Sequence, residues 1–178
     1  MNDSAIITKH LIRAKGGKNA FDEQWERTIA YVVQPSVVLQ VVASRSSCIA
    51  WATGSGGLGL PYAATWLAAG TINRLITKSY TSNPLNTVQD PKIELRRFME
   101  GVGKKPFFGG DTPSPVDLSL YGSLAVFIVQ RAPSMLALLD ACEMWPWVLR
   151  MDACVPLREI NPKAKPFDLK ELADSRGK

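Results

Sequence analysis

Residues 28–73 carry a single charge, Arg45. A stretch so poor in charge belongs in a core, against a partner, or in a bilayer. A spanning helix needs about 20 consecutive, mostly apolar residues. The uncharged piece 46–73 has the length, but Gly54, Gly56, Gly57, Gly59, Pro61 and Gly70 interrupt it, along with several hydroxyls. The piece 28–44 holds Pro35 and is too short. The expectation is a pair of buried helices, one face of which meets a partner or a bilayer.

The rest of the pattern is helical. Asn19 or Asp22 can cap a helix through Phe21-Asp22-Glu23-Gln24-Trp25-Glu26-Arg27, whose acids suit the positive end of the helix dipole. That helix runs on into Ile29, Val32 and Val33, with a kink or break expected near Pro35. Val37-Val38-Leu39-Gln40-Val41-Val42 has strand propensity, yet no second strand is available to pair with it, so helix is preferred. Pro61 suits the start of a helix carrying Ala63, Ala64, Trp66, Leu67, Ile72 and Leu75. Residues 82–86 read as a loop. Asp90-Pro91 opens a helix with Leu95, Phe98, Met99 and Val102 on one face, stopped by Gly101 and Gly103. The segment 115–131 has a stripe of Leu120, Tyr121, Leu124, Phe127 and Ile128. Short helices follow near 134–142 and 145–155. The predicted class is all-α, a helical bundle. Its expected core includes Trp66, Phe98, Leu118, Tyr121, Leu124, Phe127, Trp147 and Leu149. Three regions are expected: a basic arm over 1–18, the helical domain over 19–156, and an extended tail over 157–178 with one turn near 168–173.

Little of the chain offers catalytic chemistry. It has one histidine, His10, which has no partnered carboxylate and nucleophile. Of its three cysteines, Cys48 and Cys142 sit among apolar neighbours, and no C-x-x-C is formed with Cys154. Nothing in this usage depends on disulfides. Gly54, Gly56 and Gly59 match G-x-G-x-x-G literally. The dinucleotide mechanism also needs a preceding strand and an acid about 20 residues on, and no acid lies between Gly59 and Asp90. A helix–helix loop is the better reading. Asp22, Glu23 and Glu26 read as a solvated first turn. No metal, cofactor or catalytic residue is expected.

Lys and Arg number 21 against 16 acids, for a formal charge of +5. The excess gathers at the ends, in Lys9, Arg13, Lys15 and Lys18 and in Lys163, Lys165, Lys170, Arg176 and Lys178. No RNP-like strand, zinc knuckle or helix-turn-helix pattern accompanies it, so nucleic acid is not the expected partner. The N-terminal residues lack a secretory pattern. Residues 6–15 mix apolar and basic side chains without acids, the composition of a short mitochondrial targeting segment.

The most informative stretch is Lys105-Pro106-Phe107-Phe108-Gly109-Gly110-Asp111-Thr112-Pro113-Ser114-Pro115-Val116-Asp117-Leu118. Ser114 and Asp117 have capping-box spacing, with Pro115 in the first helical position. The Ser114 hydroxyl would accept from the Asp117 N–H, and the Asp117 carboxylate would accept from the Ser114 N–H.

These residues resemble the loop and box that open the central helix of the glutathione transferase C-terminal domain. Within that family the chain is similar to the membrane-associated type 2 prostaglandin E synthase branch. The similarity extends to Trp25-Glu26-Arg27 with Gln34-Pro35-Ser36-Val37, to Ala63-Ala64-Thr65-Trp66-Leu67 with Arg74-Leu75, and to Trp145-Pro146-Trp147-Val148-Leu149-Arg150. It covers about residues 20–155. Family members hold glutathione and the reactive side chain on a thioredoxin-like domain that has no counterpart in these residues, so no catalytic residue carries over. The resemblance therefore implies a non-catalytic accessory subunit of a mitochondrial, inner-membrane-associated complex, with a respiratory-chain complex as the specific expectation. Its partners would be protein subunits, with possible membrane contact. The alternatives are the helical half of a split glutathione-dependent transferase, or a small apolar-ligand binder using Trp51, Tyr62 or Trp66.

Overall fold

A computed structural model of the chain describes residues 20–53, 61–155 and 168–176, side chains 20–22 and 51 excepted. The described residues form an all-α bundle. The Gly54–Gly59 string, His10, Asn19, the basic arm and most of the tail lie outside them.

The first rod consists of α1 (Ala20–Thr28), a π-helical turn (Ile29–Val33) and α2 (Gln34–Ala43). Pro35 has no N–H, so the Tyr31 carbonyl four residues earlier has no α-helical donor. The Thr87 N–H supplies one at 2.8 Å. The Gln34 N–H reaches back to Ile29, widening the turn instead of breaking the rod. Beside it, the Ser36 hydroxyl accepts from the Gln89 N–H at 3.1 Å. The expected kink is thus a π turn clamped by the loop before the next long helix. The β-branched run is helical, and Val37, Val38, Val41 and Val42 are all buried.

The charge-poor segment continues as α3 (Arg45–Thr53) and α4 (Tyr62–Thr81), which pack on one another and on α2. After them come α5 (Pro91–Val102), α6 (Pro115–Val129), α7 (Pro133–Ala141), α8 (Trp145–Cys154) and α9 (Leu169–Asp174). Asp90 caps α5 by accepting from the Lys92 N–H. Gly103, at φ 58°, ends that helix in a conformation open to glycine. Helix α6 is central and touches α1, the π turn, α2, α7 and α8. Buried Ser47 of α3 caps α7 from a distance. Its hydroxyl accepts from the Ser134 N–H at 3.0 Å and pairs with the Ser134 hydroxyl at 2.8 Å.

Two expected core residues lie elsewhere. Trp66 is 47% exposed and Leu118 is 45% exposed. Helix α4 buries its small side chains, Thr65 and Ala69, so Trp66 falls on the flank. There the Arg45 guanidinium lies 4.3 Å from its ring centroid and donates to its carbonyl. Helix α6 is apolar almost all round, so periodicity cannot orient it. Asp117 turns inward, and Leu118, Gly122 and Val126 form the outward row. Phe98, Tyr121, Leu124, Phe127 and Trp147 are buried as expected, and Leu149 packs half-buried on the core.

The turn expected near 168–173 is a short helix. Asp168 caps α9, which inserts Leu169 into the core beside α8. Arg176 then pairs with Asp140 at 2.5 Å. Burial alone would raise the Asp140 pKa, but hydrogen bonds from Arg176 and Trp145 bring it below the usual carboxylate value. The tie's contribution to stability is full above the ordinary carboxylate range and is lost as the pH falls through the lowered Asp140 value. No helix among the described residues is long and apolar enough to cross a membrane.

Candidate functional site

The most concentrated polar chemistry in the bundle surrounds Asp117, fully buried at the start of α6. Ser114 and Asp117 form the reciprocal box: the Asp117 N–H donates to Ser114 Oγ at 3.3 Å, and the Ser114 N–H donates to Asp117 Oδ2 at 2.9 Å. The carboxylate does more than the spacing of Ser114 and Asp117 indicates. Oδ2 also accepts from Ser114 Oγ at 2.7 Å and from the Gly109 N–H at 3.2 Å. Oδ1 accepts from the Phe108 N–H at 2.9 Å and from the Trp147 indole N–H at 3.0 Å. Two carboxylate oxygens offer about four lone-pair sites, so these donors fill the group.

The donors come from three places. Ser114 is the helix cap. Phe108 and Gly109 belong to a tight turn closed by Phe107 and Gly110, which exchange backbone hydrogen bonds at 3.0 and 3.1 Å. A Cβ at Gly109 would stand 2.7 Å from the Ser114 Cβ and 2.9 Å from the Thr112 carbonyl, so only glycine lets the turn approach the box. Trp147 comes from α8, and Arg150 one turn on donates to the Pro106 carbonyl at 2.8 Å. The hub thus fastens the 106–110 turn, α6 and α8 to one another.

Aromatic rings cover it. Phe98 stacks on Phe108 at 5.4 Å and meets Trp147 edge-on at 5.1 Å. Trp25 of α1 contacts both phenylalanines, and Tyr121 meets Trp147 at 6.1 Å. Such pairs add about 0.5–1.5 kcal/mol each beyond their burial. The lid keeps water from competing for the carboxylate, which strengthens its hydrogen bonds.

Chemically, this is a fastener. A general base needs a free lone pair within reach of substrate, and the Asp117 lone pairs are taken. Elsewhere, Tyr121 donates to Asp152 Oδ1 at 3.1 Å. Cys48 and Cys142 are buried and Cys154 is exposed. No set of three or more metal-binding side chains gathers among the described residues. Tyr62 and Trp66, considered for an apolar-ligand pocket, stand open to solvent. The loop amides and the indole on Asp117 escaped the sequence reading. Gly109-Gly110 ahead of the box was the available signal for close approach; nothing local marks Trp147 as a donor.

Burial raises the pKa of the Tyr121 phenol, and the adjacent Asp152 charge and hydrogen bond push it further. Burial also raises the Cys48 and Cys142 thiols. In each case the folded state favours the protonated form, so the unfolded chain ionises first. Stability should be level through neutral pH and fall once the pH passes the ordinary thiol and phenol values, about 8.5 and 10. Urea melts across that window test this, and Tyr121→Phe should flatten the fall above about pH 10.

The fold and site together define an all-α bundle organised around a donor-saturated buried carboxylate. Comparison with known protein families, curated proteins and solved structures found no match to the chain.

Proposed function

We propose that the chain is a non-catalytic structural subunit of a membrane-associated multiprotein complex. The observation that carries this reading is apolar surface left open on separate elements of one small bundle. Tyr62, Trp66, Leu67 and Leu75 are exposed on α4, Leu85, Val88 and Ile93 lie around the start of α5, and Leu118 and Val126 lie on α6. Single exposed apolar side chains are ordinary, but several groups on separate helices fit a chain with neighbours. The polar chemistry at the Asp117 hub serves rigidity, which suits a scaffold.

The mitochondrial, respiratory-chain part of the proposal draws on the resemblance of 106–118 and its flanking segments to the type 2 prostaglandin E synthase branch. The acid-free, basic N-terminal segment supports it from the sequence. The test is native purification of the tagged chain from its source, followed by mass spectrometry of what accompanies it. A reproducible set of partner polypeptides in a large particle is expected. A lone 19.5 kDa monomer would overturn the reading. Glutathione-dependent turnover by the purified particle, abolished by changes in this chain, would favour a split transferase instead.

A further inference from the structure

Helix α9 has six residues, short enough to be marginal on its own in water. Its principal neighbour is α8. An apolar contact and a polar one hold it there. Leu169 is buried in the core, and Leu172 packs half-buried one turn on. Arg176 donates to Asp140 Oδ2 from Nε at 3.0 Å and from Nη2 at 2.5 Å. Leu169, Leu172 and Arg176 stand at i, i+3 and i+7, the spacing of one helical face. Lys170, Glu171, Asp174 and Ser175 are exposed.

The seat under this face is built by the bundle itself. Glu143, at φ 53°, turns the chain from α7 into α8, and the Met144 N–H reaches back to the Leu139 carbonyl at 3.0 Å. Across that turn the Trp145 indole donates to Asp140 Oδ1 at 2.7 Å. The indole leaves Oδ2 for a cation, so residues of α7 and α8 aim the acceptor without help from α9. A short helix laying leucines on an apolar seat, with one charge fixed at its end, is the helix-in-groove mode of recognition.

We propose that α9 is a strap that releases while the rest of the bundle stays folded, and that its seat then takes a partner's short helix of the same chemistry. What already sits there specifies that helix. It has an acid at its N-cap, as Asp168 is, leucines at its first and fourth positions, and an arginine at its eighth. The proposal stands on the contacts of α9 and is independent of the subunit reading.

The experiment pairs amide hydrogen exchange of the full chain with fluorescence anisotropy of a labelled peptide copying residues 167–178, in which three acids balance three cations. The Leu172 and Ser175 N–H groups, bonded to the Asp168 and Glu171 carbonyls, should exchange at least about 100-fold faster than those of Leu120 and Leu124 in α6. The peptide should bind the full chain carrying Leu169→Asp with Leu172→Asp at least about tenfold more tightly than the unaltered chain, whose own α9 competes at about millimolar effective concentration. Arg176→Gln in the peptide, or Asp140→Asn in the opened chain, should weaken binding about fivefold, and the two together no further.

Exchange of α9 in step with α6 overturns the release. So does an unfolded bundle in the leucine-pair chain by circular dichroism, since α9 would then be part of the core. A peptide that fails to bind the opened chain, or binds both chains equally, overturns the partner seat. A dimer of the unaltered chain in sedimentation, dissolved by the leucine pair, gives the seat to α9 of a second copy and overturns a different partner.

Discussion

Asp117→Ala should destabilise the protein by about 3–5 kcal/mol, because it strands several buried hydrogen-bond donors at once. The substitution leaves the N–H groups of Phe108, Gly109 and Ser114 and the Trp147 indole without their acceptor in a site closed to water. Each stranded donor is costly, typically about 1–3 kcal/mol, although the turn can relax and recover part of it. Domain stabilities run about 5–15 kcal/mol, so the variant should sit near the limit of folding. Asp117→Asn should fare little better, because its NH₂ would face N–H donors. Ser114→Ala removes one cap and one hydroxyl donor, for about 1–2 kcal/mol. Urea melts of the three variants should rank them in that order. Equal effects of Asp117→Ala and Ser114→Ala would mean that the carboxylate does no more than cap its helix.

Trp147→Ala is the second large effect, about 3–5 kcal/mol. The ring is fully buried and meets Phe98 and Tyr121 edge-on, so truncation opens a cavity between α5, α6 and α8. It also removes one of the donors on Asp117 Oδ1. Trp147→Phe separates the two contributions, keeping most of the ring and losing the N–H. It should cost about 1.5–3 kcal/mol, the scale of a hydrogen bond to a charged group. In a double-mutant cycle with Asp117→Ala, Trp147→Phe should couple by about 1 kcal/mol or more, as groups sharing one network do. Thermal melts of the cycle provide the check, and simple additivity would contradict a shared hub.

Much of the bundle was legible in the sequence because its signals are local. Asp90-Pro91, Ser114-Pro115 and Asp117 announce helix starts through backbone chemistry that acts within one turn. Leu95, Phe98 and Val102 repeat at helical spacing and are buried together. The illegible parts depend on residues far apart in the chain. The Tyr31 carbonyl is satisfied by Thr87, and Ser47 caps a helix beginning at Pro133. Trp147 finds Asp117 across 30 residues. Leu118 was placed inside because α6 is apolar almost all round and carries no directional signal, and Trp66 because α4 buries its small Thr65 and Ala69 instead of its largest apolar side chain. Leu169 was missed because its segment, rich in proline and lysine, reads as a tail, although Asp168 caps a short helix that docks.

Those two misplaced residues bear on function. Leu118 and Trp66 stand among the apolar side chains left open, and the subunit reading says that neighbours cover such positions. Hydroxyl-radical footprinting of Trp66, Leu67, Leu75, Leu118 and Val126 tests this most directly, comparing the isolated chain with the natively purified particle. All five are exposed in the isolated bundle. Strong protection in the particle, with Trp147 unreactive in both, is the predicted result. Equal labelling of the five in both samples would contradict it.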